Sequence, residues 1–112
     1  MFKLYAFWTA PPDPDDADAF DRRYREGHGP LASKVPGMRK FITSRTDVGL
    51  EGGEPAFFRV AEMIFDSRED LERAEHSQEW LALREDSGKM IEQFGVTLTV
   101  AMGEEIDQPL TA

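Results

Sequence analysis

The sequence predicts an α+β domain in which strands and helices follow the order β-α-β-β-α-β. Short segments rich in aromatic and β-branched residues alternate with longer segments whose apolar residues recur every three or four positions. The chain has 112 residues, the usual size of one domain, so we expect a single domain over residues 1–112. Its composition, 40% hydrophobic and 31% charged, is typical of a globular protein.

The first helix is predicted to lie between two strands. Residues 2–8 are apolar and aromatic-rich, which predicts a strand, and a run of prolines ends it. Asp15 or Asp16 is a suitable N-cap for the helix that follows, and Gly27 marks its end. The apolar stripe of this helix consists of Ala17, Phe20 and Tyr24.

A short turn and a second strand come next. Pro30 favours a brief further helical turn, and the Pro36-Gly37 dipeptide predicts a tight turn after it. Residues 38–47 predict the second strand, because apolar and polar side chains mix there as they do on a half-covered sheet. On this strand one face carries Phe41 and Thr43, and the other carries Ile42 and Ser44.

Two more strands are predicted in the second half of the chain. Residues 56–65 are almost continuously apolar, which indicates a central strand that is covered on both faces. Residues 96–102 alternate and predict the last strand, followed by a loose acidic tail from about residue 104. This order is the ferredoxin-like plan, an antiparallel sheet with helices on one face.

The second helical region has clear boundaries in the sequence. Ser67 with Asp70 forms a capping pattern at its start, a break is expected near Ser77, and Gly95 ends it. The apolar positions of this region are Leu71, Ala74, Trp80, Leu83, Ile91 and Phe94.

The sheet face away from the helices has no predicted cover. Since an apolar sheet face on a small domain favours self-association, we expect a homodimer. The candidate residues for that face are Tyr5, Phe7, Phe41, Phe58 and Val60.

Charge and composition exclude several classes of partner and site. The net charge of −9 disfavours nucleic acid and anionic membranes as partners. The absence of cysteine excludes disulfides and thiolate chemistry, and with only two histidines we expect no metal and no other cofactor. No apolar run is long enough to span a bilayer or to act as a signal peptide, so we expect a cytoplasmic protein.

One segment departs from the acidic character of the chain. Between residues 22 and 45 there are seven Lys and Arg residues against one acid, Glu26. This segment is either a solvated helix face and strand edge, or a local positive field that draws in a small anionic ligand.

Three stretches resemble the EthD family. Residues 20–31 (FDRRYREGHGPL) and 36–41 (PGMRKF) are similar to its signature, a helix that ends in an aromatic-x-x-x-His-x-Pro-Leu pattern followed by a Pro-Gly strand start. Residues 58–67 (FRVAEMIFDS) are similar to its third strand and the following helix start. The resemblance covers roughly residues 1 to 103.

The resemblance implies a homodimer in which two sheets face each other as an α/β barrel. Relatives include methylmuconolactone isomerases, fungal polyketide dehydratases or decarboxylases, and bacterial proteins that accompany ether-degrading oxidation systems. In the isomerase relatives the His of this motif and a Tyr of the second strand line the pocket. Here those positions are His28 and Phe41, so the hydroxyl is missing.

His28 is the candidate catalytic residue. It lies between Gly27 and Gly29, which leave the ring free of neighbouring side chains, and imidazole titrates near neutral pH. The alternative is a structural histidine that bonds a carbonyl at a helix end. The candidate substrate-binding residues are Tyr5, Phe7, Trp8, Tyr24, Phe41 and Phe58.

Other polar residues are interpreted as structural. Tyr24 lies four residues before His28 and would share its helix face, either in the pocket or as a core aromatic. Glu62 in the apolar third strand is either solvated and ion-paired, with Arg59 as a candidate partner, or a buried acid. His76 is expected to face solvent.

Two functions are compatible with these features. The first is a cofactor-free isomerase or dehydratase-type lyase that acts on a small aromatic or lactone-type compound in a catabolic pathway, with His28 as acid and base. The second is a non-catalytic small-ligand-binding or accessory protein of an oxidation system. The His between two glycines favours the first, and the missing hydroxyl at Phe41 favours the second.

Overall fold

Four antiparallel strands form one sheet. The computed structural model describes residues 1–111. Its strands are β1 (Phe2–Trp8), β2 (Met38–Arg45), β3 (Arg59–Phe65) and β4 (Leu98–Glu104). The predicted ferredoxin-like plan is confirmed: the strand order is β2-β3-β1-β4, with β3 and β1 in the centre of the sheet.

The helices cover one face of this sheet. They are α1 (Ala17–Arg23), α2 (Gly29–Ala32), α3 (Arg68–Ala74) and α4 (Gln78–Phe94). A π-helical segment, Tyr24–His28, joins α1 directly to α2, and short 3-10 turns lie at Pro14–Asp16 and Leu50–Gly52. In the described residues 1–111, no helix is both long and apolar enough to cross a membrane.

The predicted end of the first helix at Gly27 was wrong. Gly27 has helical backbone angles inside the π-helical segment, and the helical chain continues to Ala32. A glycine costs a helix only about 1 kcal/mol relative to alanine, so burial of the flanking Tyr24 and His28 outweighs that preference. Asp16 is the N-cap residue of α1, as predicted, but its side chain makes no capping hydrogen bond. Asp13 accepts from the backbone N–H of Asp15 at 3.0 Å and caps the 3-10 turn that precedes α1.

The boundaries of the second helical region are confirmed. Ser67 Oγ accepts from the backbone N–H of Asp70, and Ser77 Oγ accepts from that of Trp80, so each serine caps one helix. Gly95 ends α4 in the left-handed conformation. One position of the apolar stripe was wrong, because Ile91 is exposed; the buried side chains after Leu83 are Asp86, Ser87, Met90 and Phe94.

Four strand ends differ from the prediction. Beyond Arg45, only Thr46 still bonds to the opposite strand, by donating its backbone N–H to Phe58 O at 2.9 Å, so β2 stops short of residue 47 and β3 begins after Phe58. Thr97 is bonded to Thr9 rather than through the regular ladder, so β4 starts at Leu98, two residues later than predicted. The tail is tied down further than expected, since β4 reaches Glu104 and Glu105 bonds to Met1 O.

Alternate residues of β1 serve two different faces of the sheet. Phe2, Leu4 and Trp8 are buried against the helices, where they meet the buried residues of α1, α3 and α4. Their neighbours on the opposite face pair across the sheet as Lys3 with Ile64, Tyr5 with Glu62 and Phe7 with Val60.

The open face combines aromatic rings with an ion-paired lysine, Lys3, which binds Glu62 and Glu105. The rings of Tyr5 and Phe7 are stacked with centroids 6.4 Å apart, and Phe57 lies 5.1 Å from Phe7. Glu62 is half-buried and ion-paired, as expected, but its partner is Lys3 at 3.2 Å rather than Arg59, which lies on the helix side. Phe41 also lies on the helix side, because it pairs with Met63, so it does not contribute to the open face.

Two glycines in or next to α4 provide a matched test of this helix. Gly95 has φ +69°, so Gly95→Ala should lower the free energy of unfolding by about 1–2 kcal/mol, the cost of the left-handed conformation for an L-residue. Gly88 lies inside the helix with open space at its Cβ position, so Gly88→Ala should raise it by about 0.5–1 kcal/mol. Urea unfolding of both variants measures the change in the free energy of unfolding. Changes of the same sign and size would contradict the assignment of Gly95 as the left-handed end of α4.

Candidate functional site

A cavity of about 450 Å³ lies between the helices and the covered face of the sheet. Its size is within the range of small-molecule pockets, and side chains from all four strands form one wall. Val100 and Met102 on β4 and Arg84 on α4 are exposed, so they mark the side that opens to solvent. The polar residues that line it are Tyr24, His28, Glu75, Arg84 and Ser87.

The π-helical segment places its two rings in the wall of this cavity. Tyr24 is its first residue and His28 its last, and they are 1% and 5% exposed. The ring centroids lie 5.2 Å apart, and Trp8 packs edge-on against both, 5.1 Å from His28 and 6.1 Å from Tyr24. Single-turn π-helical segments inside α-helices occur frequently at functional sites.

A buried carboxylate orients the imidazole. His28 Nδ1 lies 2.9 Å from Asp86 Oδ2, and Asp86 is 8% exposed. Arg23 binds the same carboxylate through both terminal nitrogens, with Nη2 at 2.5 Å from Oδ1 and Nη1 at 3.1 Å from Oδ2. The three side chains come from α1, the π-helical segment and α4, so the contact also joins these helices.

The protonation states follow from this arrangement. Burial alone would raise the pKa of Asp86, but hydrogen bonds from Arg23 and His28 bring it below its usual value, so the group is a carboxylate at neutral pH. Burial lowers the pKa of His28, against the raising effect of Asp86, so the ring is neutral.

An ionised Asp86 accepts a hydrogen bond, so we assign the imidazole proton to Nδ1. Nε2 then carries a lone pair, and within the described part of the chain it has no hydrogen-bonding partner. Since His28 lines the cavity, this nitrogen is available to a bound molecule as a hydrogen-bond acceptor or as a base.

A second ion-pair network, formed by Arg59 and Asp21, packs against the ring of Tyr24. Arg59 is 4% exposed, its guanidinium lies 4.5 Å from the centroid of the Tyr24 ring, and it bonds Asp21 and Thr43. Asp21 also accepts from Arg25 Nε at 2.9 Å. The network fixes the position of the ring, and burial raises the pKa of Tyr24, so its hydroxyl stays protonated.

The structure separates the predicted site residues into two groups. His28, Trp8, Tyr24 and Phe41 line the cavity together. Phe58 packs against Phe20, with centroids 5.8 Å apart, and is not part of the lining. Tyr5 and Phe7 lie on the opposite face of the sheet from His28.

Asp86 and Arg23 were not predicted as site residues. An acid in the apolar stripe between Leu83 and Met90 is a sequence signal for a buried, paired carboxylate, and it could have identified Asp86. Arg23 had no comparable signal, because it is one of several arginines in a basic segment.

Ion pairs within the fold neutralise much of that basic segment. Arg23 pairs with Asp86, Arg25 and Arg45 with Asp21, and Arg39 with Asp66. The segment is therefore mostly an ion-paired surface. His76 is exposed, as expected, and residues 1–111 contain no cluster of three or more His, Cys, Asp or Glu side chains that could hold a metal ion.

Comparison with known proteins agrees with the fold and the motif. The EthD domain model matches residues 13–93, which include both the His28 motif and Asp86. The chain belongs to the EthD family. It is 29% identical over 79 residues to an uncharacterised 11.0 kDa protein from the thcB-thcC intergenic region of Rhodococcus erythropolis, covering 70% of this chain and 73% of that protein.

Solved structures of similar proteins extend this comparison. An EthD-family protein from Bacillus halodurans is 36% identical, with a TM-score of 0.81 over 95% of this chain and 99% of that one. A dimeric protein of unknown function with a ferredoxin-like fold, from Bacteroides fragilis, shares 15% identity and a TM-score of 0.64 over 93% and 95% of the two chains. The second likeness shows the fold alone.

The state of His28 predicts a specific pH dependence. Its folded pKa lies below the unfolded value of about 6.5, so the unfolded chain binds this proton more readily. The stability that neutral His28 contributes is therefore complete above about pH 6.5 and is lost as the pH falls through the folded pKa.

Proton NMR of the histidine rings measures this titration directly. The His28 resonances should have a midpoint below about 6.5. A His76→Gln variant assigns the two sets of signals, since it removes the exposed histidine. A His28 midpoint above that value would contradict the neutral state.

Proposed function

We propose that this EthD-family protein is a cofactor-independent enzyme that moves a proton within, or eliminates water from, a small aromatic or lactone-type compound, with His28 as the general base. The observation that carries this proposal is the unpartnered Nε2 of a neutral, Asp86-bound imidazole at an apolar cavity. A base that is buried and oriented in this way can act without a metal or an organic cofactor.

The chemistry follows from the position of the proton. Nε2 takes a proton from a carbon that lies next to a carbonyl group, and the bonding electrons move into that carbonyl. The resulting imidazolium is stabilised by Asp86, whose carboxylate is already hydrogen-bonded to Nδ1. Return of the proton to another atom of the same molecule completes an isomerisation, and its delivery to a leaving hydroxyl completes a dehydration.

The cavity lining indicates the class of ligand. The walls are formed by Trp8, Phe41 and the side chains of Leu83, Leu98 and Met63, which favour a flat, largely apolar molecule. A volume of about 450 Å³ accommodates one or two rings. The internal ion pairs of the basic segment remove the main argument for a strongly anionic ligand, although Arg84 at the opening could contact one carboxylate.

A second candidate function is ligand binding without catalysis. Phe41 lies in the cavity wall and has no hydroxyl, so it cannot supply the acid or hydrogen-bond donor that a tyrosine would supply there. In that case the protein would serve an oxidation pathway as a binding or accessory component, and His28 would only accept a hydrogen bond from its ligand.

We also propose a homodimer through the open face of the sheet. Tyr5, Phe7 and Phe57 form an aromatic cluster there, and no helix of the described chain covers it. The similar ferredoxin-like protein from Bacteroides fragilis is dimeric, which supports self-association. A second copy would bury the rings and leave the cavity on the other side of the sheet accessible.

His28→Asn tests the proposed base. Asparagine keeps a donor for Asp86 but removes the basic nitrogen, so turnover of any substrate should fall about 10²–10⁴-fold while the fold persists. A panel of phenols and unsaturated lactones, followed by NMR of the His28 ring and by product formation, identifies the substrate. The matched control is His76→Gln, which removes the exposed histidine.

The same panel distinguishes the two functions. Binding with no turnover supports the accessory function. If no compound perturbs the His28 ring, and His28→Asn binds each one as well as the original protein does, the site assignment is wrong.

Phe7→Asp tests the dimer. A charge in the centre of the aromatic cluster should convert a dimer into a monomer, because burying an unpaired carboxylate costs several kcal/mol. Light scattering at micromolar concentration measures the mass, and Glu72→Gln on the exposed side of α3 is the control. A stable monomer of the unmodified protein at that concentration rules out the proposed interface.

A further inference from the structure

Arg23 differs from the other arginines of the basic segment in what it binds. Arg25, Arg39 and Arg45 pair with acids while their own side chains stay exposed, between 41% and 62%. Arg23 instead reaches α4 and binds both oxygens of Asp86, the carboxylate that holds His28. A two-point contact of this kind fixes the orientation of the carboxylate plane as well as its position.

Gly27 makes room for this contact. A Cβ atom at residue 27 would lie 2.6 Å from Arg23 Nη1 and 3.6 Å from its Cζ. Real Cβ atoms essentially never approach that closely, so the guanidinium would have to move. Gly27 has ordinary helical backbone angles, and therefore no conformational demand explains a glycine at this position. Its lack of a side chain lets Arg23 cross it, one helical turn away, toward Asp86.

We propose that Arg23 is a positioning residue that keeps the Asp86 carboxylate turned toward His28 Nδ1, leaving Nε2 free of a proton, and that Gly27 is required because it lets Arg23 reach that carboxylate. This inference rests on the proposed role of His28 as a base. It concerns how the base is kept ready, whatever molecule it acts on.

The charge balance around His28 explains why an arginine is needed. A buried carboxylate beside an imidazole attracts a proton to the ring, which would convert the base into an imidazolium. Burial is the main cause of the lowered pKa of His28, and Arg23 acts in the same direction, whereas Asp86 raises that pKa. Arg23 also lowers the pKa of Asp86. Without Arg23, the pKa of His28 would rise, so a larger fraction of the rings would be protonated and unable to accept a proton from a substrate.

The other charged groups around the ring do not replace Arg23. From α4, Arg84 lines the cavity and is exposed; from the turn after α3, Glu75 lines it and is half-buried. From β3, Arg59 is bonded to Asp21 and Thr43 and lies over Tyr24, while β1 contributes the uncharged Trp8. In the described part of the chain, Arg23 is the cation bonded to the carboxylate that holds His28.

Three variants test the proposal, and none of them requires a substrate. Arg23→Met removes the charge, and Arg23→Lys keeps the charge but not the two-point contact. Gly27→Ala leaves Arg23 in the sequence but forces its guanidinium to move. The control is Arg22→Met, because the neighbouring Arg22 is exposed and has no ion pair among residues 1–111. The measurements are the ¹⁵N shifts of the two ring nitrogens at pH 7.5 and the titration midpoint of His28.

We expect the midpoint to rise in Arg23→Met and, by a smaller amount, in Gly27→Ala, with partial recovery in Arg23→Lys and no change in Arg22→Met. The ¹⁵N shifts that indicate a proton on Nδ1 should also be less pronounced in Arg23→Met and Gly27→Ala. If Arg23→Met does not fold, Gly27→Ala and Arg23→Lys decide the question, since both retain a cation at residue 23.

Two outcomes would overturn the proposed roles of Arg23 and Gly27 without bearing on the proposed function of His28. If the midpoint and the ¹⁵N pattern of Arg23→Met match those of Arg22→Met, then Arg23 has no positioning role. If Gly27→Ala matches the unmodified protein, the role of Gly27 is wrong. A failure of every compound to reach His28 would instead reject the proposed function and leave these ring measurements intact.

Discussion

The buried carboxylate of Asp86 is the constraint on which the arrangement of the helices depends. A lone anion in the interior is unfavourable by several kcal/mol, so α4 must lie where both Arg23 and His28 can reach it. These two residues come from consecutive turns of the first helical region. The contact therefore fixes the register of that region against α4, and the cavity is the space left between the helices and the sheet beneath them.

Much of the local structure could be predicted because its causes are local. The serine caps at Ser67 and Ser77 and the left-handed Gly95 depend on a few neighbouring residues, and all three appear where expected. Gly27 misled the prediction for the opposite reason. Its neighbours alone favour a helix end, whereas the burial of Tyr24 and His28 on either side keeps the helix going.

The candidate site could be predicted only in part. The spacing of the motif identified His28 and Tyr24, but the partner of His28 is separated from it by 58 positions and is visible only as an acid in an apolar stripe. The faces of β1 presented a similar difficulty. Trp8 and Phe7 are adjacent aromatic residues, and the sequence does not show which of them faces the helices. The alternation along β1 thus places one set of rings in the cavity wall and the other set on the exposed face of the sheet.

The π-helical segment also bears on how this chain can change in length. A π-helical turn holds one residue more than an ordinary α-helical turn, and here the surplus lies between Tyr24 and His28. Because the wider turn absorbs that residue, its loss would restore regular α-helix with the downstream residues close to their present angular positions. A deletion within regular α-helix would instead rotate everything downstream by about 100°, the angle between successive residues. A relative that is one residue shorter in this segment can therefore still direct a histidine toward the buried carboxylate of α4.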